Sequence, residues 1–252
     1  MPGSANRFLA SCNMLKLQTY FFLTVEDKSQ YIYEDILGNY INDSTNWLDL
    51  GCGHQVLPGW RFEKERVLVS RAKLACGVDY DLRSLQSHGT IYNKVRADIT
   101  SLPFRNNTFD LVTANMVVEH LSDPTKQFQE ISRVLKSKGI FLFHTPNVLG
   151  YTTILARLIP DTFKTRLAAF LEGRKAEDMF PTYYRANSIG KIKSIAEQTR
   201  FRVLYCKRIV SSAQLIMIPL FVILELFWIR LLMTKSLKAL RTNIITVLIK
   251  KD

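Results

Sequence analysis

Two glycines follow directly on an acidic strand end in the first quarter of the chain. The stretch NWLDLGCGH, residues 46–54, places Asp49 two residues before Gly51, with Gly53 close behind. A glycine at such a point can take a tight turn and lets a ligand approach backbone that a Cβ would block. The third glycine of a dinucleotide loop is missing, because position 56 is Val, and no Gly-Lys-Ser/Thr phosphate loop follows. On its own, the pattern also fits an ordinary strand-to-helix turn.

Two further acids lie at predicted strand ends. Asp79, in GVDYD (77–81), is placed where a carboxylate can accept hydrogen bonds from both hydroxyls of a ribose. The alternative for Asp79 is a helix N-cap, a position that acids favour. Asp98 ends the run KVRAD, and the alternative for this residue is a turn.

Three of the four histidines fall in or near strand-end loops: His54, His120 and His144. Histidine is the side chain best suited to exchange protons near neutral pH. Glu119 stands directly before His120. For each histidine, a structural role is an equal alternative to catalysis.

Strand and helix signals alternate from about residue 29. Short apolar runs that stop at an acid or a glycine predict buried parallel strands. Helical periodicity, with Pro near the start of one segment and Gly at its end, predicts helices between them. The strands are predicted at 47–50, 75–81, 94–98, 109–115 and 139–145, and the helices at 29–41 and 124–139. This alternation predicts a parallel sheet whose site lies beyond the carboxyl ends of the strands.

Together these motifs resemble the class I S-adenosylmethionine-dependent methyltransferases, in particular the small-molecule branch similar to ubiquinone/menaquinone methyltransferases. The resemblance covers residues 30–147. The matching stretches are LDLGCG (48–53), GVDYD (77–81), ADITSLPFRNNTFDLV (97–112), EHLSDP (119–124) and RVLKSKGIFLFHTPN (133–147). It implies an α/β, Rossmann-like fold: a seven-stranded sheet in the order 3-2-1-4-5-7-6 with helices on both faces. It also implies S-adenosylmethionine as the cofactor.

The resemblance assigns cofactor contacts residue by residue. The loop against the methionine part would be Asp49, Gly51 and Gly53, with Cys52 between the glycines. Asp79, with Tyr80 beside it, would take the ribose hydroxyls. Asp98 would accept from the adenine amino group while Ile99 packs on the ring, and Asn115 would line the floor beneath the methyl group.

Methyl transfer from a sulfonium asks the enzyme mainly for alignment of acceptor, methyl and sulfur. An oxygen or carbon acceptor also needs a base, and the candidates are His120, His144 and Glu119. Related quinone O-methyltransferases place a further Glu three residues before the Glu-His pair, where a metal can bind. Here that position is Met116, so we predict no metal.

A lid and acceptor region is predicted at 148–187. Its segment DMFPTYYRAN (178–187) is polar and aromatic, in the position where this family closes over its acceptor. Candidate acceptor contacts are Asp178, Tyr183, Tyr184 and Arg185. The alternative is a set of ordinary surface loop residues.

The net charge of +12 is concentrated in the C-terminal part. Residues 1–146 hold 16 Lys+Arg against 15 Asp+Glu, whereas residues 147–252 hold 18 against 7. The most apolar segment, 213–233, lies in this basic part and is interrupted by Pro219, Glu225 and Arg230. We predict a membrane-associating insertion at 213–241, between a sixth strand at 202–210 and a seventh at 242–251. A buried core helix and a hydrophobic dimer interface are the alternatives.

The sequence therefore predicts an enzyme at a membrane face. Residues 1–28 have no assigned role, and 29–252 are predicted to form a single methyltransferase domain. Four scattered cysteines, Cys12, Cys52, Cys76 and Cys206, fit a reducing compartment and thus the cytoplasm. The expected partners are a small-molecule or lipid-linked acceptor and an anionic membrane surface, with no nucleic acid and an open oligomeric state. The alternatives are a soluble methyltransferase whose apolar segment dimerises and a silent cofactor-binding scaffold.

Overall fold

A computed structural model describes residues 29–158, 180–211 and 219–252. The predictions for residues 1–28, for Asp178 and for the start of the apolar segment lie outside the described residues. The described residues divide into two compact units. We call 33–148, 180–207 and 243–252 the sheet unit, and 29–32, 149–158, 208–211 and 219–242 the helical unit. The helical unit thus contains parts of the predicted lid and of the predicted insertion.

Seven strands form one sheet in the order β3-β2-β1-β4-β5-β7-β6, which confirms the predicted fold. Strands β1 to β5 pair in parallel along this order, and β7 runs antiparallel to β5. The strands are β1 (Asn46–Leu50), β2 (Leu74–Asp79), β3 (Asn93–Arg96), β4 (Phe109–Asn115), β5 (Leu135–Pro146), β6 (Phe201–Ile209) and β7 (Asn243–Lys250).

Seven α-helices are described, and three of them begin at a side chain that caps the first turn. The helices are α1 (Ser29–Tyr40), α2 (Phe62–Arg71), α3 (Leu82–Ser87), α4 (Pro124–Val134), α5 (Tyr151–Leu158), α6 (Ile189–Gln198) and α7 (Pro219–Leu232). The capping residues are Asp81 for α3, Asp123 for α4 and Ser188 for α6. Each accepts backbone N–H groups that the helix itself cannot satisfy.

Helix α4 is shorter than predicted, because it ends at Val134 rather than near residue 139. Leu135 already pairs with Phe109 of β4, and its carbonyl oxygen accepts from the Nζ of Lys250 at 2.7 Å. These contacts hold the backbone at Leu135 in β5 instead of in α4. Gly139 therefore lies inside the strand, where a Cβ would come within 2.8 Å of the Lys136 carbonyl oxygen.

An aromatic cluster fills the core between α4 and the sheet. Phe128 of α4 meets the rings of Phe141 and Phe143 of β5 nearly edge-on, with ring centroids 5.2 and 5.8 Å apart. Phe201 at the start of β6 closes the cluster from the other side. Edge-to-face pairs of this kind add to the stabilisation from apolar burial. The cluster packs α4, the helix that follows the loop carrying Glu119 and His120, against β5.

Helix α7 ends at Leu232, whereas the sequence pattern predicts a helical amphipathic continuation to Arg241. The guanidinium of Arg241 donates to the carbonyl oxygens of Leu232 and Met233, each at 3.0 Å. The Thr234 hydroxyl donates to the Leu231 carbonyl oxygen at 2.7 Å. These bonds satisfy the last carbonyls of the helix and stop it. Within the described ranges, none of the helices has the length and apolarity needed to cross a membrane.

Candidate active site

The turn after β1 holds both glycines in the left-handed region, at φ +61° for Gly51 and +51° for Gly53. A Cβ on Gly51 would lie 2.5 Å from a methyl carbon of Val117, so packing requires glycine there. A Cβ on Gly53 would meet no heavy atom within 4 Å among the described residues beyond its chain neighbours. The backbone at Gly53 is therefore open to close approach by a ligand.

Asp79 is bound to the glycine turn rather than to a helix. One carboxylate oxygen of Asp79 accepts the Gly53 N–H at 2.8 Å, and the other accepts the Asp81 N–H at 2.8 Å. The N-cap of α3 is Asp81, so the N-cap alternative for Asp79 is wrong. A carboxylate offers about four lone-pair sites, so Asp79 can accept further hydrogen bonds. Tyr80, next to it, is exposed, and the Arg96 guanidinium lies 5.4 Å from its ring centroid.

Asp98 and Ile99 follow β3 on the same edge of the sheet. One oxygen of Asp98 accepts the Thr100 N–H at 2.7 Å, so Asp98 does form the turn that was the alternative interpretation. Its carboxylate is nevertheless exposed, and a turn role and a ligand contact are compatible. Ile99 is half-buried and packs against the core cluster.

Asp49 and Cys52 are buried beneath the glycine turn. The Thr113 hydroxyl donates to the Asp49 carboxyl and receives the indole N–H of Trp47 at 2.7 Å. Burial, with smaller contributions from the charges of nearby acids, raises the pKa of Asp49 to about 8. A Cβ on Gly77 would lie 2.6 Å from the Cys52 sulfur, so any contact of Cys52 with a ligand would be through its backbone.

Residues 54–57 of the glycine loop are held from two sides. One carboxylate oxygen of Glu65 in α2 accepts the N–H groups of Val56 and Leu57, at 2.9 and 2.8 Å. From β4, the Asn115 side-chain N–H donates to the Val56 carbonyl oxygen at 3.0 Å. Sequence reasoning missed Glu65, because a glutamate on an amphipathic helix looks like a solvated surface residue. Its role depends on a contact made only in the folded chain.

His144 of β5 is buried and engaged at both ring nitrogens. Its Nδ1 lies 3.0 Å from the Asn115 side-chain oxygen, and its Nε2 lies 2.9 Å from the Asn243 side-chain nitrogen. Burial lowers the pKa of His144 to about 3, so the ring is neutral. The amide N–H of Asn243 donates to Nε2, and Nδ1–H donates to Asn115. We therefore revise the prediction for His144 from catalysis to positioning of Asn115.

His120 has a different environment at the end of a 3₁₀ turn (Val118–His120). Its Nδ1 lies 2.9 Å from the carbonyl oxygen of Pro181, and the Phe180 ring stands edge-on to it at 6.2 Å. A carbonyl can only accept, so Nδ1 of the neutral ring carries the proton and Nε2 keeps its lone pair. The side chain is only partly buried. Among the three candidate bases, His120 has the geometry of a general base.

Glu119 connects the strand ends to the predicted acceptor segment. Its backbone carbonyl oxygen accepts the N–H groups of Tyr183 and Tyr184, at 2.8 and 3.1 Å. Its carboxyl group is buried and accepts the Thr145 hydroxyl at 2.9 Å, and burial raises the pKa of Glu119. The Asn187 side chain in turn donates to the Thr145 oxygen at 2.7 Å. We revise Glu119 from a base to a residue that anchors the segment.

The structure thus places the three described acceptor candidates, Tyr183, Tyr184 and Arg185, against the loop that carries the candidate base. Arg185 donates from its guanidinium to the Ser122 carbonyl oxygen and lies 5.4 Å from the centroid of the Tyr183 ring. Tyr184 takes a φ of +52°, and Met116 after β4 takes +59°. Such left-handed residues persist where surrounding contacts enforce them, often at functional sites. Contact of Tyr183, Tyr184 and Arg185 with an acceptor stays a prediction.

Comparison with known proteins agrees with this geometry. Residues 48–143 match the family described as "Methyltransferase domain". A malonyl-[acyl-carrier protein] O-methyltransferase of Legionella pneumophila is 35% identical over 123 residues, which are 46% of this chain and 37% of that protein. A probable S-adenosylmethionine-dependent methyltransferase of Mycobacterium tuberculosis is 28% identical over 108 residues, 42% of this chain and 37% of its own length. Residues 48–143 thus match a methyltransferase domain.

A solved structure extends the agreement in fold over most of the chain. An S-adenosylmethionine-dependent methyltransferase from Mesorhizobium loti superimposes with a TM-score of 0.57 over 89% of this chain and 99% of that one, at 15% identity. The chain spans well under half the length of the two sequence relatives named above. The methyltransferase prediction is confirmed for the domain, and with it S-adenosylmethionine as the cofactor.

The residues of this methyltransferase domain fit that cofactor. The open approach at Gly53 accommodates a ligand against the backbone, and Asp79 lies directly beside it with acceptor capacity for a ribose. Asp79 and the exposed Asp98 would supply negative charge at the edge where a cationic sulfonium compound binds. No group of three or more metal-binding side chains is placed to hold a metal ion in the ranges that the structure describes.

Replacing Asp49 by asparagine is expected to remove part of the pH dependence of stability. The folded-state pKa of Asp49 is raised to about 8, so its protonated form is favoured by folding. The stability that this raised pKa contributes to the folded protein is fully present below the unfolded-state pKa of about 4 and is lost as pH rises through about 8. The asparagine amide would mimic the protonated acid at every pH. In thermal unfolding without cofactor, the stability of Asp49→Asn relative to wild type should rise between pH 5 and pH 8; a constant difference would contradict the raised pKa.

Replacing His144 by leucine is expected to weaken cofactor binding about tenfold, because Asn115 would lose the hydrogen bond to His144, which contributes about 0.5–1.5 kcal/mol, and would hold the glycine loop less firmly. The dissociation constant of S-adenosylmethionine, measured on folded protein by calorimetry, checks this. If both residues act on the same loop, His144→Leu combined with Asn115→Ala should lose no more than Asn115→Ala alone. Additive losses would show that His144 acts elsewhere.

Proposed function

We propose that the protein transfers a methyl group from S-adenosylmethionine to a hydroxyl oxygen of a hydrophobic or lipid-linked acceptor at a membrane face. The acceptor class includes quinone precursors, glycolipids and lipid-linked glycans. The proposal includes the place of action, a membrane reached from the cytoplasm. The observation that carries the choice of a hydroxyl over a carboxylate acceptor is the 2.9 Å contact between His120 Nδ1 and the Pro181 carbonyl oxygen.

His120 supports an acceptor that must lose a proton. Its Nδ1–H is held by the Pro181 carbonyl oxygen at 2.9 Å, so the ring is oriented by one nitrogen and accepts through the other. This is the arrangement in which a base is positioned by a second group. A hydroxyl acceptor needs such help, whereas a carboxylate is already ionised at neutral pH.

Apolar side chains beside His120 support a hydrophobic acceptor. Met116, Phe180 and Tyr183 all expose large parts of their side chains, and Phe180 stands against the His120 ring. The hydrogen bonds from the Tyr183 and Tyr184 N–H groups to Glu119 hold this segment to the site. A hydrophobic acceptor bound here would cover those surfaces.

The chain's residues have separable tasks in the proposed reaction. The cofactor, when bound, supplies a methyl group activated by positively charged sulfur. Gly53 and Asp79 bind and orient it from the sheet edge. The acceptor segment 180–187 orients the hydroxyl, and His120 Nε2 takes the hydroxyl proton as the oxygen–methyl bond forms. In this exchange the cofactor would give up its methyl group, keep the electron pair of the sulfur–carbon bond and leave as a neutral thioether.

The test uses methyl-labelled S-adenosylmethionine, the purified protein and a membrane extract, followed by partition between organic and aqueous phases. We expect alkali-stable label in the organic phase, because an ether survives mild alkali. Label that alkali releases would identify an ester and a carboxylate acceptor, the chemistry named for the Legionella relative. Label found only in the aqueous phase would overturn the lipid acceptor. Cofactor binding without any transfer would support the scaffold alternative.

A further inference from the structure

The helical unit combines positive charge with exposed apolar side chains. Its described residues contain six Lys and Arg but one acid, Glu225. Glu225 is 5% exposed, so it does not offset the surface charge. Four of the six cations are exposed: Arg157, Arg230, Lys235 and Lys238. The described surface of this unit is therefore cationic.

Helices α5 and α7 are joined through Tyr151. The Tyr151 hydroxyl donates to a Glu225 carboxylate oxygen at 2.8 Å, and its ring meets Trp228 edge-on with centroids 6.4 Å apart. Burial raises the pKa of the Tyr151 hydroxyl, which therefore stays a donor. This contact places Glu225 of α7 against α5.

Large apolar side chains of both helices are exposed. On α5 these include Leu155 and Leu158, the latter 73% exposed; on α7, Leu224 and Phe227 are both more than 60% exposed. Met233 continues the set beyond the end of α7. Spacings of three and four residues align such side chains along a helix. Exposed apolar groups concentrated in one unit mark an interaction surface.

We propose that this unit docks on an anionic lipid bilayer, inserting the exposed apolar side chains of α5 and α7 at the interface while the four exposed cations pair with lipid headgroups. Apolar insertion and attraction of basic residues to anionic lipid reinforce each other in interfacial binding. A nucleic acid would match the positive charge but would not bury the exposed leucine and phenylalanine side chains. The choice of a lipid-linked acceptor rests on the proposed function; the docking surface does not.

The test is flotation of the full-length protein with vesicles of phosphatidylcholine alone and with vesicles that also contain the anionic lipid phosphatidylglycerol. We expect binding only with the anionic lipid, and loss of that binding at high salt. Phe227→Glu should weaken binding at least tenfold. Tyr92→Glu, a matched change at an 88% exposed site of the sheet unit, should leave it unchanged.

The second part of the test reverses the charge of exposed lysines. Lys235→Glu with Lys238→Glu should weaken binding at least tenfold, at about 1 kcal/mol per basic residue. Lys191→Glu with Lys193→Glu in α6 carries the same charge change and should have little effect. The proposal would be overturned if the protein bound uncharged and anionic vesicles equally well. It would also be overturned if the two double variants lost the same amount of vesicle binding. A dimer that Phe227→Glu dissociates without altering vesicle binding would overturn it as well, since the occupant would then be a second copy.

The result of the vesicle-binding test can be told apart from the result of the methyl-transfer test. Vesicle binding requires neither cofactor nor acceptor, so it survives if no methyl transfer is found. Methyl transfer to a soluble acceptor without vesicle binding would leave methyl transfer standing but would overturn both the lipid-linked acceptor and the docking surface.

Discussion

His120→Ala is expected to lower kcat by about 100- to 10,000-fold, the range that a positioned general base contributes. The cofactor dissociation constant should change by less than about twofold, because the residues assigned to cofactor binding belong to other loops. The reason lies in the bond between His120 Nδ1 and the Pro181 carbonyl oxygen, which leaves Nε2 to accept the proton. Single-turnover methyl transfer and calorimetric cofactor titration measure the two quantities separately.

His120→Asn distinguishes a base from an anchor. The asparagine amide can still donate to the Pro181 carbonyl oxygen and so hold the acceptor segment, but it cannot take a proton at neutral pH. If His120 is the base, His120→Asn should be as slow as His120→Ala. Recovery of most of the activity in His120→Asn would mean that His120 only anchors the segment. A carboxylate acceptor would likewise show itself by unchanged kcat in both variants.

Asp79→Ala should weaken S-adenosylmethionine binding about 100-fold and abolish turnover at ordinary cofactor concentrations. The substitution removes a carboxylate that accepts from Gly53 N–H and is positioned to accept from the ribose. Hydrogen bonds to charged groups contribute about 1.5–3 kcal/mol each, and about 1.4 kcal/mol is a factor of ten in affinity. Isothermal titration with S-adenosylmethionine measures the effect.

Asp81→Ala is the matched control for this change. Asp81 lies two residues away and caps α3 by accepting the N–H groups of Arg83 and Ser84. Its removal should lower the stability of the protein modestly, through loss of the helix cap, but leave cofactor affinity nearly unchanged. Equal losses of affinity in the two variants would show that Asp79 acts by holding the α3 start rather than by binding cofactor.

Local signals were enough to predict the strands of the sheet and the glycine turn after β1. Apolar runs ending in acids mark the strands, and the glycine pair after Asp49 marks the turn, because each signal depends on neighbours in sequence. The end of α4 was misplaced because the pairing of Leu135 with Phe109 and the bond from Lys250 depend on distant residues. The same limit applies to His144. Its spacing resembles that of a catalytic residue, and only its bonds to Asn115 and Asn243 reveal a positioning role.

The close approach of Gly51 to Val117 links two loops that lie far apart along the chain. A Cβ at position 51 would collide with Val117, three residues before His120. A smaller residue at 117 would remove this collision, but an alanine at 51 would still strain the left-handed backbone. The glycine turn therefore limits which side chains the loop that carries the base can place at 117.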